Sequence, residues 1–180
     1  MILGDSKRSS SRARSLLPYA ILDSLTEQSY DELTGLVAYI AKTPIALISF
    51  VDRDRQWFKS RVGLGSSETP RNSSFCAHAI REPSNILIVP DALADPRFAD
   101  NVLVTGDPPI RFYCGAKLTT PDNQSVGTLC VIDRVPRQLD ERQTHALELL
   151  AHQAMSLWEM RKFTLDQYWV TRARPPAACA

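Results

Sequence analysis

The sequence lacks the features that identify several classes of protein. It contains no stretch approaching the roughly 20 consecutive apolar residues of a membrane-spanning helix. No apolar block follows the basic residues near its N-terminus, as a signal peptide would require. Its 21 basic and 20 acidic residues leave a formal net charge of +1, so the charge balance does not favour nucleic-acid binding. These absences predict a cytoplasmic protein that binds neither membrane nor nucleic acid.

Glycine and cysteine are also scarce, with seven and four residues. There is no glycine-rich phosphate loop, no G-x-S-x-G turn and no H-E-x-x-H motif. Cys76, Cys114, Cys130 and Cys179 are too few for the disulfide framework of a secreted domain, so we expect free thiols. Cys76 lies two residues before His78, but a closed zinc site needs four ligands. We therefore expect no metal.

What is present indicates a single α+β domain. We expect residues 1–14 and 171–180 to be disordered tails and residues 15–170 to form the domain. A capping-box pattern at Ser29 and Glu32 predicts a helix over 30–42. Apolar segments then predict strands at 45–52, 56–62, 86–89, 110–119 and 125–133, followed by a long amphipathic helix over 140–169. This order is typical of an antiparallel sheet with helices on one face and loops on the other.

The last two predicted strands form a hairpin whose register decides which side chains share a face. With a four-residue turn at 121–124, Gly115 faces Cys130 and Cys114 faces Val131. One face is then uniformly apolar and suits packing against helices; it collects Phe112, Cys114, Ala116, Leu118, Leu129 and Val131. A one-residue slip would scramble both faces, so the pattern favours this register. It predicts that Cys114 and Cys130 point to opposite faces and cannot bond.

Five segments, in the family's order and covering about residues 27–160, resemble GAF domains. They are TPIALISFVDRDRQWFKSRVG (43–63), SFCAHAI (74–80), VPDALADPRFADN (89–101), IRFYCGAKL (110–118) and VGTLCVIDRVPRQL (126–139). The resemblance implies an antiparallel sheet of about five to six strands between a terminal-helix bundle and a layer of loops and short helices that roofs a pocket. It implies a bacterial sensor without catalytic activity, which binds a small-molecule ligand and signals to an output domain or kinase.

The candidate pocket residues are aromatic, polar or sulfur-containing, and they are Trp57, Cys76, His78, Phe98, Arg111, Tyr113, Thr128 and Cys130. Arg111 suits a carboxylate or phosphate, or it pairs with a surface acid such as Asp95. Trp57 and Phe58 fall on opposite faces of a strand, so one can stack on a ligand while the other packs in the core. Alternatively, Cys76 is a small buried apolar residue, and Phe98 fills the loop layer.

The long helix predicts a homodimer, because its apolar stripe continues further than one domain face needs. The residues expected at the interface are Leu157, Trp158, Leu165 and Trp169. Exposed apolar patches of this kind usually mark interfaces, and the resemblance implies pairing through terminal helices. Alternatively, the stripe packs onto Leu16, Leu17 and Ile21 of the same chain.

Other functions of the same fold leave a weaker trace in the sequence. A free methionine sulfoxide reductase is one alternative, but the cysteines are not close together in sequence as in those enzymes. A bilin photoreceptor is disfavoured because no cysteine lies between Asp91 and Arg111. The residue set of the cyclic-nucleotide-binding GAF domains is absent. A protein-interaction domain with a collapsed pocket is a further alternative, and the ligand and any cofactor stay unidentified.

Overall fold

A six-stranded antiparallel sheet forms the centre of the structure, a computed structural model that describes residues 21–173 and the side chains of residues 21–168. The elements are α1 (Gln28–Ala41), β1 (Ile45–Val51), β2 (Arg55–Val62), β3 (Glu68–Pro70), α2 (Phe75–Ala79), β4 (Ile86–Val89), α3 (Val102–Thr105), β5 (Phe112–Thr119), β6 (Ser125–Asp133) and α4 (Glu141–Ala173). The strand order is β3-β2-β1-β6-β5-β4. The predicted α+β class is confirmed.

The sheet separates two hydrophobic cores. One core lies between the sheet and the two long helices α1 and α4, and it includes Ile48, Phe50 and Leu129. The other lies under the loop layer with α2 and α3, and it includes Leu47 and Phe75. Because successive residues of a strand point to opposite faces, the buried strand β1 supplies both cores, as its continuous apolar run predicts.

The predicted register of the second hairpin is confirmed. Gly115 pairs with Cys130 and Cys114 with Val131, and the six residues predicted to face the helices all lie in the helix-side core. The register changes near the turn, where Thr119 pairs with Ser125 and β6 gains one extra residue. Such a bulge is compatible with the predicted faces because it lies beyond the residues that define them.

Helix α1 begins earlier than the capping-box pattern predicts. The residue before its first turn is Glu27, which makes no side-chain capping hydrogen bond, and the helix starts at Gln28. The carboxylate of Glu27 instead contacts the ammonium of Lys59 at 2.6 Å and the guanidinium of Arg161. Tertiary ion pairs therefore set the start of the helix, and the predicted cap at Ser29 is wrong.

The prediction that Trp158 is exposed in a single chain is also wrong. Its side chain is completely buried, its ring centroid lies 4.7 Å from that of Phe50, and Ile21 belongs to the same core. The sheet is wide enough for α4 to bury its apolar stripe as far as this residue. Leu157 and Leu165 are half-buried.

Several predictions about the chain ends lie outside the described residues. These are the tails at 1–14 and 174–180, the side chain of Trp169, and Leu16, Leu17 and Cys179. Helix α4 continues to Ala173, three residues into the predicted C-terminal tail. None of the helices in the described part combines the length and hydropathy that crossing a membrane requires.

Candidate functional site

Helix α2 holds the Cys76 side chain against the sheet. Ser74 caps this helix, because its Oγ accepts a hydrogen bond from the backbone N–H of Ala77 at 3.0 Å. The same hydroxyl donates to Oε1 of Gln56, which orients the amide of Gln56 toward the sulfur. Cys76 is the second residue of the helix and is fully buried between the loop layer and the strands.

Four neutral groups from four different strands donate hydrogen bonds to the sulfur of Cys76. They are Thr128 Oγ1 at 3.0 Å, Ser49 Oγ at 3.1 Å, Gln56 Nε2 at 3.2 Å and Tyr113 OH at 3.4 Å. A thiol has little capacity as an acceptor, whereas a thiolate accepts several charge-assisted hydrogen bonds. The arrangement is therefore suited to a buried thiolate.

A second cysteine lies beside the first. The sulfur atoms of Cys76 and Cys130 are 3.9 Å apart, and both cysteines are free and buried. Cys130 lies on β6, two residues beyond Thr128, and points to the same face of the sheet. We refer to Ser49, Gln56, Cys76, Tyr113, Thr128 and Cys130 as the Cys76 cluster.

The pKa values of the cysteines differ because their surroundings differ. Burial opposes ionisation of Cys76, but hydrogen bonds from Cys130, Ser49, Thr128 and Tyr113 outweigh it and lower the pKa to about 6. The hydrogen bond to Cys76 and then burial raise the pKa of Cys130. On the opposite face of the sheet, burial and then the charge of Glu148 raise the pKa of Cys114 to about 12.

Gly115 makes room for Tyr113 within the cluster. The ring of Tyr113 stacks on Phe75 with centroids 5.2 Å apart, and its hydroxyl lies over Gly115 on the same strand face. A Cβ atom at position 115 would come within 2.2 Å of that hydroxyl oxygen. Only glycine therefore allows the tyrosine to reach both Cys76 and Thr128 without displacement.

A small cavity adjoins the cluster. Its volume is about 70 Å³, and its lining is mainly apolar and contains no Asp, Glu, Lys, Arg or His: Leu47, Gln56, Phe58, Leu64, Thr69, Phe75, Cys76, Leu103, Ile110, Tyr113 and Ile132. Leu64, Leu103 and Ile110 are partly exposed and form its outer wall. The cavity is much smaller than the roughly 300–1,000 Å³ of drug-sized pockets, so it fits only a small molecule.

Two larger grooves lie at the edges of the molecule. One, of about 650 Å³, runs past the C-terminal end of α1, and its Arg137 already pairs with Asp133. The other, of about 550 Å³, is bordered by His145, Glu148 and His152 of α4. Both are open to solvent, and the described residues bring no three metal-ligating side chains together there or elsewhere. The enclosed Cys76 cluster is the stronger candidate site.

The structure brings together four of the eight predicted pocket residues, which are Cys76, Tyr113, Thr128 and Cys130. Trp57 is not among them, because it points to the helix side and packs near Phe50 with ring centroids 6.4 Å apart. Its neighbour Phe58 lines the cavity instead. The two aromatic residues lie on opposite faces as predicted, but the assignment of Trp57 to the pocket is wrong.

The remaining three predicted residues lie outside the cavity lining. Phe98 stacks on Phe75 with centroids 4.3 Å apart and fills the loop-side core. His78 is half-buried with its ring edge toward Phe98; burial and then the nearby arginines lower its pKa. Arg111 makes a two-point ion pair with Asp91, at 2.9 and 2.8 Å. The alternative of a surface ion pair therefore applies to Arg111, with Asp91 in place of Asp95.

Sequence reasoning missed Ser49, Gln56 and the proximity of Cys76 to Cys130. Ser49 left a signal, because it is the only polar residue in the buried strand IALISFV, and a buried hydroxyl needs a partner. The approach of Cys76 to Cys130 left none, because 54 residues separate them and hairpin register says nothing about α2.

The comparisons with known proteins agree with this architecture. The sequence profile described as "GAF domain" matches residues 13–157. The chain belongs to the GAF domain family. Over 137 residues it is 44% identical to a cyclic di-GMP phosphodiesterase of Pseudomonas aeruginosa, in a match that covers 76% of this chain. The chain spans only 23% of the length of that relative.

Solved structures share the fold of this GAF domain at low sequence identity. The GAF domain of a phosphoenolpyruvate-protein phosphotransferase from Acinetobacter superposes with a TM-score of 0.62 at 17% identity, covering 89% of this chain and 95% of that one. A free methionine-R-sulfoxide reductase from Neisseria meningitidis, solved with its substrate, gives 0.61 at 16% identity, covering 88% and 93%. At such identity the likeness shows the fold alone.

Proposed function

We propose that this GAF domain is a sensor module of a bacterial cytoplasmic signalling protein, which takes a small ligand into the cavity beside Cys76 and signals through its terminal helices in a homodimer. The proposal rests on a small cavity lined by Gln56, Cys76 and Tyr113, three buried residues of the Cys76 cluster. Apolar walls with a few convergent polar groups are typical of small-molecule sites.

The lining of the cavity limits the chemical class of the ligand. No Asp, Glu, Lys, Arg or His side chain lines the cavity to pair with an ionic ligand, the thiolate of Cys76 would repel an anion, and burying an unpaired ionic group is costly. A free amino acid or a cyclic nucleotide would bring such groups into it. We therefore propose a small uncharged ligand that contacts Gln56, Cys76 or Tyr113 through one polar atom.

A chain of contacts, buried at Lys59 and partly buried at Glu27 and Arg161, connects the cavity with the long helix. Gln56 and Lys59 both lie on β2, and the buried ammonium of Lys59 donates to Glu27 at 2.6 Å. The same carboxylate of Glu27 accepts from Arg161 of α4. A ligand that shifts β2 would therefore act on both terminal helices at one point. This contiguity supports transmission, and a measured energetic coupling would demonstrate it.

The relative of this chain suggests the kind of output. That protein is named as a cyclic di-GMP phosphodiesterase, and the match covers a limited part of it. We propose that this chain regulates cyclic dinucleotide turnover carried out by another domain or polypeptide, with a histidine kinase as the alternative partner.

The exposed face of the long helix supports the homodimer, with residues that differ from those predicted. Met160 and Phe163 are each 66% exposed on α4, and Leu36 and Tyr39 are exposed on α1. Apolar side chains on both terminal helices would be covered if two copies paired through them. The half-buried Leu157 and Leu165 would lie at the border of such an interface.

Native mass spectrometry of the protein as purified from cells tests the ligand proposal. We expect a retained small molecule in the wild type and its loss in Leu103→Trp, because the indole would fill the cavity. Val102→Trp is the matched control, since Val102 is the neighbouring exposed residue of α3. If the wild type retains no small molecule, or if Leu103→Trp retains as much of it as the control, the ligand proposal is wrong. A protein-interaction domain with a collapsed pocket is then the better interpretation.

One observation favours the reductase as a second candidate function. Cys76 and Cys130 are close in space although they are distant in sequence, which removes the main argument against redox chemistry. The cavity lining argues against methionine sulfoxide, because it contains no basic side chain to pair with the carboxylate. The test is turnover of free methionine-R-sulfoxide with dithiothreitol, measured for the wild type and for Cys76→Ser. A reductase would show turnover that Cys76→Ser loses, whereas the sensor proposal expects no turnover in either protein.

A further inference from the structure

We propose that Cys76 and Cys130 form a reversible redox site, in which a hydroperoxide oxidises Cys76 and Cys130 then closes a disulfide. The site would make the domain responsive to peroxide when no other ligand fills the cavity. The inference therefore goes beyond the proposed small-molecule sensing.

The geometry of the two sulfur atoms carries the proposal. They lie 3.9 Å apart on the loop side of the sheet, whereas a disulfide bond is about 2.05 Å long. The sulfurs must therefore approach each other by roughly 2 Å. Cys76 lies on α2, a short helix in the loop layer and not a strand of the sheet, so approach of the two sulfurs does not require any strand pair to separate. Cys114 is excluded as a partner because it points to the helix side.

The environment of Cys76 provides the nucleophile. Thr128, Ser49, Gln56 and Tyr113 all direct their donors at this one sulfur, so they stabilise the thiolate that attacks a peroxide. The other titratable groups facing Cys76 are Cys130 and Tyr113. Burial and the two neighbouring cysteines raise the pKa of Tyr113, so this tyrosine stays a hydrogen-bond donor.

The cavity provides a route for the oxidant. It reaches from Cys76 to the partly exposed Leu64, Leu103 and Ile110. A site needs only about 10–15 Å³ of such space to hold a water molecule, so about 70 Å³ admits hydrogen peroxide. Because no Asp, Glu, Lys, Arg or His side chain lines the cavity and the thiolate of Cys76 would repel an anion, an uncharged oxidant enters more easily than an anionic one.

The chemistry proceeds in two balanced steps. The thiolate of Cys76 attacks one oxygen of hydrogen peroxide, the O–O bond breaks, and hydroxide leaves and takes up a proton to form water. Cys76 is then a sulfenic acid, and the sulfur of Cys130 attacks it. The S–S bond forms, the S–O bond breaks, and the proton of Cys130 leaves with the hydroxyl group as water. A dithiol reductant restores both thiols by exchange.

Disulfide formation would alter the contacts that hold the loop layer. The thiolate acceptor disappears, and the four donors directed at Cys76 lose their charge-assisted partner. Buried donors without an acceptor are destabilising, so the side chains around the sulfur must rearrange. Gln56 lies on β2, the strand that also carries Lys59, and the rearrangement would reach the terminal helices by the route described above.

The test is peptide mapping after treatment with hydrogen peroxide. The full chain carrying Cys114→Ala and Cys179→Ala, so that only the proposed pair remains, is oxidised, alkylated and digested. We expect an intramolecular Cys76–Cys130 disulfide that dithiothreitol reverses. Adding Cys130→Ser to this background should instead leave a sulfenic acid on Cys76, trapped by dimedone. Peroxide should oxidise Cys76 in the Cys130→Ser variant at least ~10-fold faster than it oxidises Cys130 in the matching Cys76→Ser variant.

Two results would overturn the proposal. One is that Cys76 resists peroxide while circular dichroism shows a folded protein. The other is that oxidation yields sulfenic acid or intermolecular disulfides without the Cys76–Cys130 bond. Cys76→Ala serves alongside Cys76→Ser, so that a folding defect of one variant does not decide the outcome. Peptide mapping is done on protein that native mass spectrometry shows to be free of ligand, so that a ligand in the cavity cannot account for resistance to peroxide.

Discussion

At the scale of single residues, Cys76 differs from the other described cysteines in its partners and not in its burial. Cys76 and Cys114 are both inaccessible to solvent, yet only Cys76 receives hydrogen bonds from four neutral donors. Desolvation raises the pKa of both thiols, and the charge of Glu148 raises that of Cys114 further. At Cys76, hydrogen bonds from Cys130, Ser49, Thr128 and Tyr113 outweigh desolvation. In the Cys76 cluster, neutral hydrogen-bond donors therefore stabilise the thiolate form of Cys76.

Removal of one donor should raise the pKa of Cys76. Thr128→Val keeps the shape of the side chain but removes the hydroxyl that lies 3.0 Å from the sulfur. The thiolate then loses a hydrogen bond, while the thiol loses little. We expect the midpoint of Cys76 ionisation to move to higher pH, measured by ultraviolet absorbance of the thiolate. Thr105→Val, at an exposed hydroxyl, should leave it in place.

A methyl group at Gly115 should act on the same sulfur through Tyr113. In Gly115→Ala the new Cβ meets the tyrosine hydroxyl at 2.2 Å, and overpacking of this kind costs about 1–3 kcal/mol. We expect a lower urea midpoint together with a raised pKa of Cys76, because the hydroxyl must move away from the sulfur. Gly65→Ala is the matched control, since nothing lies within 4 Å of its added Cβ. An equal effect in both variants would contradict the role of Gly115.

At the scale of elements, an irregularity in β2 directs two consecutive side chains to the helices. The register with β1 shifts between Ile48 and Ser49, so β2 carries one extra residue, and both Lys59 and Ser60 reach the helix side. Lys59 donates to Glu27, and Ser60 donates to Asp31 at 2.5 Å. A β-bulge of this kind redirects side chains without breaking the sheet.

Replacement of Lys59 should weaken the attachment of the terminal helices. Its ammonium is 2% exposed and bonds to Ser24 and the carbonyl of Leu25 as well as to Glu27. Lys59→Met leaves these acceptors without their donor, although Glu27 keeps Arg161. We expect a loss of about 1–3 kcal/mol in the free energy of unfolding, measured in urea. The exposed Arg142→Met should change it by less than ~0.5 kcal/mol.

Elements with a strong pattern were predictable, and those without one were not. The strands of both hairpins follow their apolar segments closely, and the long helix follows its apolar stripe only as far as Trp158. The three-residue β3 and the four-residue α3 are too short to carry any periodic signal. The start of α1 was missed because Glu27 is fixed by Lys59 and Arg161, contacts that no local pattern records.

At the scale of the whole molecule, the two faces of the sheet have separate tasks. The helix side holds the core that includes Trp158 and Phe50, and the loop side holds the Cys76 cluster and its cavity. The division itself was predictable from the register of one hairpin. Which of the residues on the loop side meet was not, because their approach depends on how α2 folds back over the sheet.

Pairing of two chains should depend on the exposed end of α4. In Met160→Glu with Phe163→Glu, charges replace two apolar side chains that are each 66% exposed, so the fold should persist while the dimer dissociates. Sedimentation at micromolar concentration should show a dimer for the wild type and a monomer for this variant. Leu93→Glu, which changes an exposed residue of the loop layer, should remain dimeric. A monomeric wild type would contradict the proposed assembly.

The central claim is that Cys76 is a buried thiolate at the inner wall of the cavity. Nuclear magnetic resonance of isotope-labelled cysteine follows each Cβ shift against pH and needs no reagent to reach the buried sulfur. We expect Cys76 to titrate with a midpoint near 6, and we expect this titration to be absent in Cys76→Ser and unchanged in Cys114→Ala. If Cys76 instead stays protonated through neutral pH, as Cys114 should, the cluster is ordinary core packing and the proposed site is wrong.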